Sequence, residues 1–249
     1  MRSLSGIRLT NNNGNAQTNT TTEVTRATAN NTTSAAEWYI ETFSDRLLIN
    51  GLLVLMGKSL NTQAVFGRGL DSSGQTAKEA YITGTLNDKG LFYGVTGNGN
   101  SAVKIFGMEN FWGCVWHRTA GLITNNHAIK LKLTYGIKDG STVVGYNQTG
   151  NGYIDNGTSP YANGYVQKMS YNKYGFMPAV VTGGSQSTYY ADYHYQNATY
   201  TGIIYALFGG HSGSGLFAGA FCLNLSGAPG GANGDIAASL SCKPISLFN

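Results

Sequence analysis

Glycine is the feature of this sequence that most limits its possible folds. The chain has 35 glycines in 249 residues, roughly twice the usual share of ~7%. Only four residues are proline, so glycine is the main residue available for tight turns and close backbone approaches. Hydrophobic residues make up 41% of the chain, which is enough to bury a sizeable core. This composition argues against a helical bundle or a coiled coil.

The charge pattern argues against binding to nucleic acid or insertion into a membrane. The net charge is +4, but the basic residues are scattered and no segment combines a basic stripe with aromatic residues. The most apolar stretch, residues 47–56, is interrupted by Asn50 and Gly51, whereas a transmembrane helix needs ~20 apolar residues. The first four residues lack the apolar segment of a secretory signal. We therefore expect no nucleic-acid partner, no membrane insertion and no secretion.

Composition changes twice along the chain and divides it into three predicted segments. Residues 1–33 are rich in Asn and Thr and are predicted to form a polar N-terminal arm, either a tail or a segment that becomes ordered by docking on something else, such as the virion or a sister subunit. Residues 34–60 form a predicted helical docking segment, because Ser34 and Glu37 have capping-box spacing and apolar residues recur behind them at helical spacing to about Lys58. Residues 61–249 contain short apolar runs between turn residues, which indicates an α+β domain of short strands and long loops.

Local patterns within the third segment predict strands and turns. Residues 102–106 and residues 129–135 alternate with period two, as half-buried strands do. Four dipeptides are typical of turns: Asp139-Gly140, Asn151-Gly152, Asn156-Gly157 and Asn163-Gly164.

The three cysteines, Cys114, Cys222 and Cys242, are far apart in sequence and lack the spacing of metal ligands. We interpret them as buried small hydrophobic residues, while a Cys222–Cys242 disulfide stays open as an alternative. The sequence predicts no metal site and no cofactor. His117 and His194 also lack ligand spacing, which favours surface or hydrogen-bonded core positions.

Two fragments resemble parts of trypsin-like serine proteases. Residues 121–129 (GLITNNHAI) resemble the histidine segment, and residues 210–215 (GHSGSG) resemble the nucleophile loop. In that interpretation Ser212 attacks, His127 takes its proton, and Asp155 or Asp192 orients the imidazole. However, a polar segment and a helical segment precede His127 where a double barrel needs strands, so a protease is only a minor alternative.

Tyrosine is abundant, with 16 copies, and a dense group spans residues 189–195. Strict alternation would place Tyr189, Tyr193 and Tyr195 on one face of a strand, and Tyr190, Asp192 and His194 on the other. Tyrosine offers a large rigid contact area, while Ser, Gly and Asn offer adaptable hydrogen bonds. This mixture is typical of recognition loops.

Four blocks of sequence, in this order, resemble the variable tail proteins of phages that carry diversity-generating retroelements. The first block comprises residues 63–67 (QAVFG), 83–86 (TGTL) and 90–94 (GLFYG). The second is residues 103–113 (VKIFGMENFWG), continuing to Trp116 and Arg118, and formylglycine-generating-type lectin folds share a similar segment. The third is residues 187–192 (STYYAD), and the fourth comprises residues 205–210 (YALFGG), 218–221 (AGAF) and 236–244 (IAASLSCKP).

The resemblance covers roughly residues 45–249 and implies a C-type-lectin-like domain that binds a receptor through a variable C-terminal loop surface. On this resemblance Glu109, Asn110, Trp112 and Trp116 belong to the scaffold. The implied receptor-binding residues lie mostly in the last forty positions, bordered by one tyrosine-rich strand: Tyr193, His194, Tyr195, His211, Ser212, Ser214, Phe217, Asn224, Ser226, Asn233 and Asp235.

The expected function is therefore that of a non-enzymatic phage virion protein, made in the cytoplasm of the bacterial host. It would be a tail-tip or tail-fibre adhesin that binds a glycan or protein of the host surface and contacts other virion proteins. A homotrimer is the expected assembly, because fibres are commonly cyclic. The alternative from another class is a structural decoration subunit of the capsid or tail.

Overall fold

The protein is described here by a computed structural model for residues 19–31, 36–70, 84–96, 100–133 and 154–244. Within these ranges it is a mixed α/β structure, mostly β-sheet, with three α-helices. The first half contains α1 (Thr20–Thr28), β1 (Ala36–Ile40), α2 (Phe43–Gly57), α3 (Thr62–Phe66), β2 (Gly69–Leu70), β3 (Asn100–Ser101), β4 (Lys104–Ile105), β5 (Met108–Glu109) and β6 (Trp116–Asn125). The second half contains β7 (Ala128–Leu131), β8 (Ile154–Thr158), β9 (Gly164–Tyr165), β10 (Lys168–Asn172), β11 (Gly175–Val180), β12 (Tyr193–Gln196), β13 (Ile203–Gly209), a 3₁₀ turn (Gly215–Phe217), β14 (Gly219–Leu225), β15 (Ile236–Ala237) and β16 (Leu240–Pro244).

An eight-stranded sheet that curls into a half-barrel forms the centre of the molecule. Seven strands follow the order β8-β7-β6-β13-β14-β12-β9, and β15 pairs in parallel with the start of β6. Neighbouring residues of the central strands enter different apolar clusters: Phe208 and Leu223 contribute to one, and Leu207 and Cys222 to another. The centre of the sheet is therefore covered on both faces.

Helix α2 lies inside the predicted helical segment but begins later than predicted, at Phe43. A reciprocal capping box closes its N-terminus: Thr42 Oγ1 accepts a hydrogen bond from the Asp45 backbone N–H, and the Asp45 carboxylate accepts one from the Thr42 backbone N–H. The predicted helix start at Ser34 and Glu37 is wrong, because Glu37 lies in β1, which pairs antiparallel with β16. Pairing with a distant strand outweighs the local capping signal there.

Helix α1 lies in the segment predicted to be a polar arm, and it docks on the sheet of its own chain. Val24 and Ala27 pack into a core cluster, and Glu23 forms a buried ion pair with Arg118 on β6 at 2.5 Å. Helix α2 packs into the core as well, so the predicted segments do not have separate cores. Residues 1–18 lie outside the described part of the chain. No helix in the described ranges is long and apolar enough to cross a lipid bilayer.

The local strand and turn predictions have mixed outcomes. β7 confirms the start of the strand predicted at residues 129–135 but ends at Leu131, and residues 134–135 lie outside the described ranges. Within residues 102–106 only Lys104–Ile105 is a strand. Asn156-Gly157 lies inside β8 and makes no turn: Gly157 has a positive φ of 78°, and the register against β7 shifts there, as in a β-bulge. Asn163-Gly164 leads directly into β9. Asp139-Gly140 and Asn151-Gly152 lie outside the described residues.

All three cysteines are free thiols. Cys114 and Cys222 are buried as predicted, but Cys242 is exposed, so its predicted burial is wrong. Cys242 pairs with Trp38 in the β1–β16 ladder, while Cys222 lies inside β14, and the alternative of a disulfide between them is not realised.

Candidate functional site

Four aromatic side chains meet at one end of the central sheet, and we call this group the aromatic face: Tyr165, Tyr193, Tyr195 and Phe217. Tyr165 on β9 is the cross-strand partner of Tyr193 on β12. The Tyr193 ring centroid lies 4.5 Å from that of Phe217, 4.7 Å from that of Tyr195 and 5.1 Å from that of Tyr165. The three tyrosines are half-buried and Phe217 is 37% exposed, so the rings pack on one another and still meet solvent.

Trp116 and His211 form the border of the aromatic face. The Trp116 ring lies 5.7 Å from Tyr195 and 6.0 Å from His211 between centroids. Trp116 itself is buried in a cluster with Leu207, and its backbone N–H donates to the carbonyl of Asp235 at 2.8 Å. A packed indole therefore supports the face from below and joins it to the C-terminal loop.

The alternation of β12 explains how the sequence builds this face. Tyr193 and Tyr195 are half-buried on the outer side of β12, whereas His194 between them is buried, as the period-two pattern predicts. Tyr190 and Asp192 are buried too, but they precede β12, and Ala191 between them is also buried with a φ of 59°. Tyr189 is exposed but lies outside the strand, in a turn where its φ is 57°. The alternation prediction is thus confirmed within β12 and is wrong for residues 189–192, which are not part of a strand.

Two tyrosines of the face, Tyr165 and Tyr195, have raised pKa values. Burial raises the pKa of Tyr165 above the usual value, and the neighbouring Tyr193 raises it further. Burial, followed by Cys222 and the two other tyrosines, also raises the pKa of Tyr195. Both hydroxyl groups are therefore neutral at physiological pH and can donate a hydrogen bond to a ligand.

A buried polar pair holds the 3₁₀ turn that carries Phe217. The Gln63 side-chain amide donates to the carbonyls of Leu216 and Ala218, which flank Phe217. It also lies 3.3 Å from the Asp192 carboxylate, which accepts a hydrogen bond from the Phe221 backbone N–H at 2.7 Å. Burial raises the pKa of Asp192 to about 8, although both hydrogen bonds lower it. Asp192 is therefore largely protonated at neutral pH.

We expect Asp192 to give the protein a distinct pH dependence. Between pH ~4 and ~8 the unfolded chain has lost the Asp192 proton while the folded chain keeps it. For each unit by which the pH rises in this range, this group therefore lowers the free energy of unfolding by about 1.4 kcal/mol. Asp192→Asn cannot titrate, so its stability should lack this pH dependence; its amide keeps only one of the two acceptor oxygens, which adds a cost that does not vary with pH. Urea unfolding at several pH values measures the difference between the two proteins. A difference that stays constant between pH 5 and 8 would contradict the assignment.

The loop at residues 226–235 lies beside the aromatic face and is held by the N-terminal helix. Thr20 Oγ1 donates to the carbonyl of Pro229 at 2.8 Å, and Arg118 Nη2 donates to the carbonyl of Gly231 at 3.0 Å. Because Arg118 is also paired with Glu23 of α1, the predicted N-terminal arm fixes part of the predicted display loop.

The structure brings together four of the eight predicted receptor-binding residues that have accessible side chains. Tyr193, Tyr195, His211 and Phe217 lie in or beside the aromatic face. The other four lie in β14 or in the loop after it: Asn224 and Asp235 are half-buried, and Ser226 and Asn233 are exposed.

Three predicted contact residues are corrected by their burial: His194, Ser212 and Ser214. His194 points to the inner side of β12, and burial lowers its pKa to about 4, so the ring is neutral. Ser214 makes the turn after β13: its hydroxyl accepts from the His211 backbone N–H at 3.0 Å, and its own backbone N–H donates to the His211 carbonyl. Ser212 donates from its backbone to the carbonyl of Cys114. These side chains shape the face and do not present contacts.

The structure does not bring the candidate protease residues together. The backbone N–H of Ser212 donates a hydrogen bond to the carbonyl of Cys114, which lies just before β6. His127 follows the other end of that ten-residue strand. At about 3.3 Å per residue the two are roughly 30 Å apart, far beyond hydrogen-bond reach. His127 Nδ1 instead lies 3.1 Å from Gln196 Nε2. The candidate acids have other partners as well: Asp155 pairs with Lys130, and Asp192 lies in the network described above.

The predicted scaffold residues occupy supporting positions. Trp112 is fully buried, and its indole N–H donates to the Gly67 carbonyl at 3.0 Å. The Glu109 carboxylate accepts hydrogen bonds from the backbone N–H groups of Gly84 and Leu86. These contacts supply the partners that a buried indole and a half-buried carboxylate require.

A second polar group, Glu41, Arg46 and His117, is buried in the core. Arg46 Nη2 lies 2.6 Å from Glu41 and 3.2 Å from His117 Nδ1, and the guanidinium stacks 4.0 Å from the Phe111 ring centroid. Burial would raise the pKa of Glu41, but Arg46 and His117 together lower it below the usual value. The sequence leaves open a surface position or a hydrogen-bonded core position for His117, and the structure shows the core position. The enclosure of all three side chains makes this group structural.

Two members of the site are not in the predicted set. Tyr165 joins the aromatic face only because β9 pairs with β12, and its local sequence carries no such signal. Trp116 is assigned to the scaffold, and its burial agrees with that role, although its ring also borders the face. No protein-family model matches the chain, and a search of the curated proteins finds no match either.

Proposed function

We propose that this protein is a phage virion adhesin of the tail tip or tail fibre, and that it binds the host cell surface through the aromatic face. The observation that carries the proposal is the cluster of four partly exposed rings on a rigid sheet, beside a polar loop. Aromatic side chains that are packed from below lose little conformational entropy on binding. Tyr and Phe in such positions are typical anchors of recognition surfaces.

The polar surroundings of the aromatic face favour recognition over catalysis. Asn224 pairs with Tyr195 in the sheet, and Asp235 is joined to Trp116, so both offer hydrogen-bonding groups at the edge of the face. Ser214 fixes the backbone position of His211 through the buried turn at residues 211–214. Gln63 fixes the 3₁₀ turn from which Phe217 projects. A scaffold of this kind allows surface residues to change without loss of folding.

The fold in this proposal is a C-type-lectin-like domain related to the variable proteins of diversity-generating retroelements. The mixed α/β architecture is compatible with it, as is the burial of Trp112 and Asn110 in the segment that carries the resemblance. The ligand is a glycan or a protein of the host surface, because aromatic rings and phenolic hydroxyls suit both. Multivalent display as a homotrimer on the virion would raise a weak single contact to a useful avidity.

Alanine substitutions in the aromatic face test this function. Tyr193→Ala combined with Phe217→Ala removes the central ring and the most exposed one, and we expect binding of the purified chain to host cells to fall at least tenfold. Tyr161→Ala is the matched control: this tyrosine is 59% exposed, but it packs on His127 at the other end of β6. Fluorescence-labelled protein and flow cytometry give the binding curves.

Near-ultraviolet circular dichroism must show that the double variant is folded. Equal cell binding by the folded double variant and the parent chain would reject the aromatic face as the receptor site. A decoration subunit, the alternative function, would show no specific binding to host cells in the parent chain.

A further inference from the structure

Helix α2 exposes a row of leucines that nothing in the described fold covers. Leu48 is 65% exposed, Leu52 37% and Leu55 73%, and we call these three residues the leucine seam. Met56 beside them is 52% exposed. The helix has no charged residue after Arg46, which is itself buried. Exposed apolar surface of this extent on a charge-poor helix usually marks an interaction site.

The spacing of the seam fits a partner helix. Leu48, Leu52 and Leu55 are separated by four and three residues, the spacing of core positions in a coiled-coil heptad. Gly51 lies between them on the same side, and a Cβ at that position would meet nothing within 4 Å. Glycine weakens a helix interior, but here it leaves a gap through which another helix can approach closely.

The seam projects from a firmly held helix. On the opposite side Leu53 is fully buried, and the Asn50 amide donates to the Ala220 carbonyl at 2.7 Å. The capping box of Thr42 and Asp45 fixes the start of the helix. The exposed leucines are therefore preorganised, which lowers the entropic cost of binding.

We infer that the leucine seam is the surface on which a second copy of this chain docks, helix against helix. A seam without charges meets no repulsion from its own copy, which a symmetric interface requires. The seam and Met56 expose on the order of 400 Å² of apolar surface, about half of the ~800 Å² that each partner buries in a standard interface.

The surroundings favour another copy over a lipid surface. Helices that lie on membranes carry Lys and Arg along their polar side. In α2 the one basic residue, Arg46, is buried against Glu41, and Lys58 at the C-cap is the next in sequence. This inference concerns association alone and does not depend on the proposed adhesin function.

Oligomeric state in solution tests the inference. Light scattering coupled to size-exclusion chromatography should give a dimer or trimer for the full chain, and Leu48→Glu with Leu55→Glu should shift the mass to the monomer or weaken association at least tenfold. Leu91→Glu is the matched control, because Leu91 is 63% exposed outside α2. A full chain that is monomeric at high micromolar concentration, or a double variant that keeps the parent's mass, would overturn the inference.

A cross-linking experiment protects the test against a variant that misfolds. Leu52→Cys in a Cys242→Ser background leaves only buried natural thiols, Cys114 and Cys222. Mild oxidation should then give a disulfide-linked dimer on a non-reducing gel, and Leu91→Cys in the same background should stay monomeric. Equal cross-linking at both positions, or binding of the monomeric chain to anionic phospholipid vesicles through the seam, would contradict docking of a second copy.

Discussion

Replacing Arg118 by methionine should lower the free energy of unfolding by about 3–5 kcal/mol, the usual cost of removing one partner from a buried ion pair. Arg118 and Glu23 are both almost fully buried, and Nε of Arg118 lies 2.5 Å from the Glu23 carboxylate. Methionine keeps much of the side-chain volume but leaves the carboxylate without its guanidinium. Urea unfolding followed by circular dichroism measures the change.

Two further variants separate charge pairing from packing. In the Glu23→Leu/Arg118→Met double variant neither charge of this pair is left buried without its partner, so it should be more stable than Arg118→Met alone. Lys130→Met is the control: its partner Asp155 is 60% exposed, and breaking such a pair costs ~0–1 kcal/mol. Equal losses for Arg118→Met and Lys130→Met would show that the buried pair does not hold α1 on the sheet.

Alanine at Gly164 should destabilise the protein by roughly 3 kcal/mol, the upper end of the usual cost of overpacking. A Cβ at this position would overlap the Val181 carbonyl oxygen, and a backbone atom cannot move aside as a side chain can. Gly164 pairs with His194, and the next residue, Tyr165, pairs with Tyr193. The shift of β9 should therefore also displace Tyr165 from the aromatic face.

Gly227→Ala provides the comparison for that prediction. Nothing lies within 4 Å of a Cβ built at Gly227, so the substitution should change stability by at most ~0.5 kcal/mol. Thermal and urea unfolding of both variants measure the difference. Equal stability of the two would mean that β9 does not pack against Val181 as closely as described.

Local periodicity predicts the part of the site that depends on one strand. The alternation of Tyr193, His194 and Tyr195 is a property of any β-strand, and it separates outward from inward positions once the strand is recognised. It does not say which face is covered, so His194 cannot be removed from the contact residues by pattern alone. The sequence also places Ser212 and Ser214 wrongly among the contact residues, because a Gly- and Ser-rich segment is typical of an exposed loop. In the structure this segment is held by hydrogen bonds from Ser212 to Cys114 and between Ser214 and His211.

Long-range contacts decide the parts of the fold that sequence reasoning does not predict. Helix α1 is short and threonine-rich, and it is stabilised by Glu23 meeting Arg118, 95 positions away along the chain. Glu37 belongs to a strand because β16 lies beside it, despite a helix-start pattern. Neither partner can be identified from local spacing. Only the part of the helical prediction that has its own cap, at Thr42 and Asp45, agrees with the structure.

The central claim is that the aromatic face serves attachment and not assembly, and adsorption by virions carrying Tyr193→Ala and Phe217→Ala tests it most directly. Genome copies count the assembled particles, and the loss of free particles from a host culture gives the adsorption rate. We expect a normal particle yield and adsorption at least tenfold slower than for particles carrying Tyr161→Ala. Failure to assemble, or an unchanged adsorption rate per particle, would contradict it.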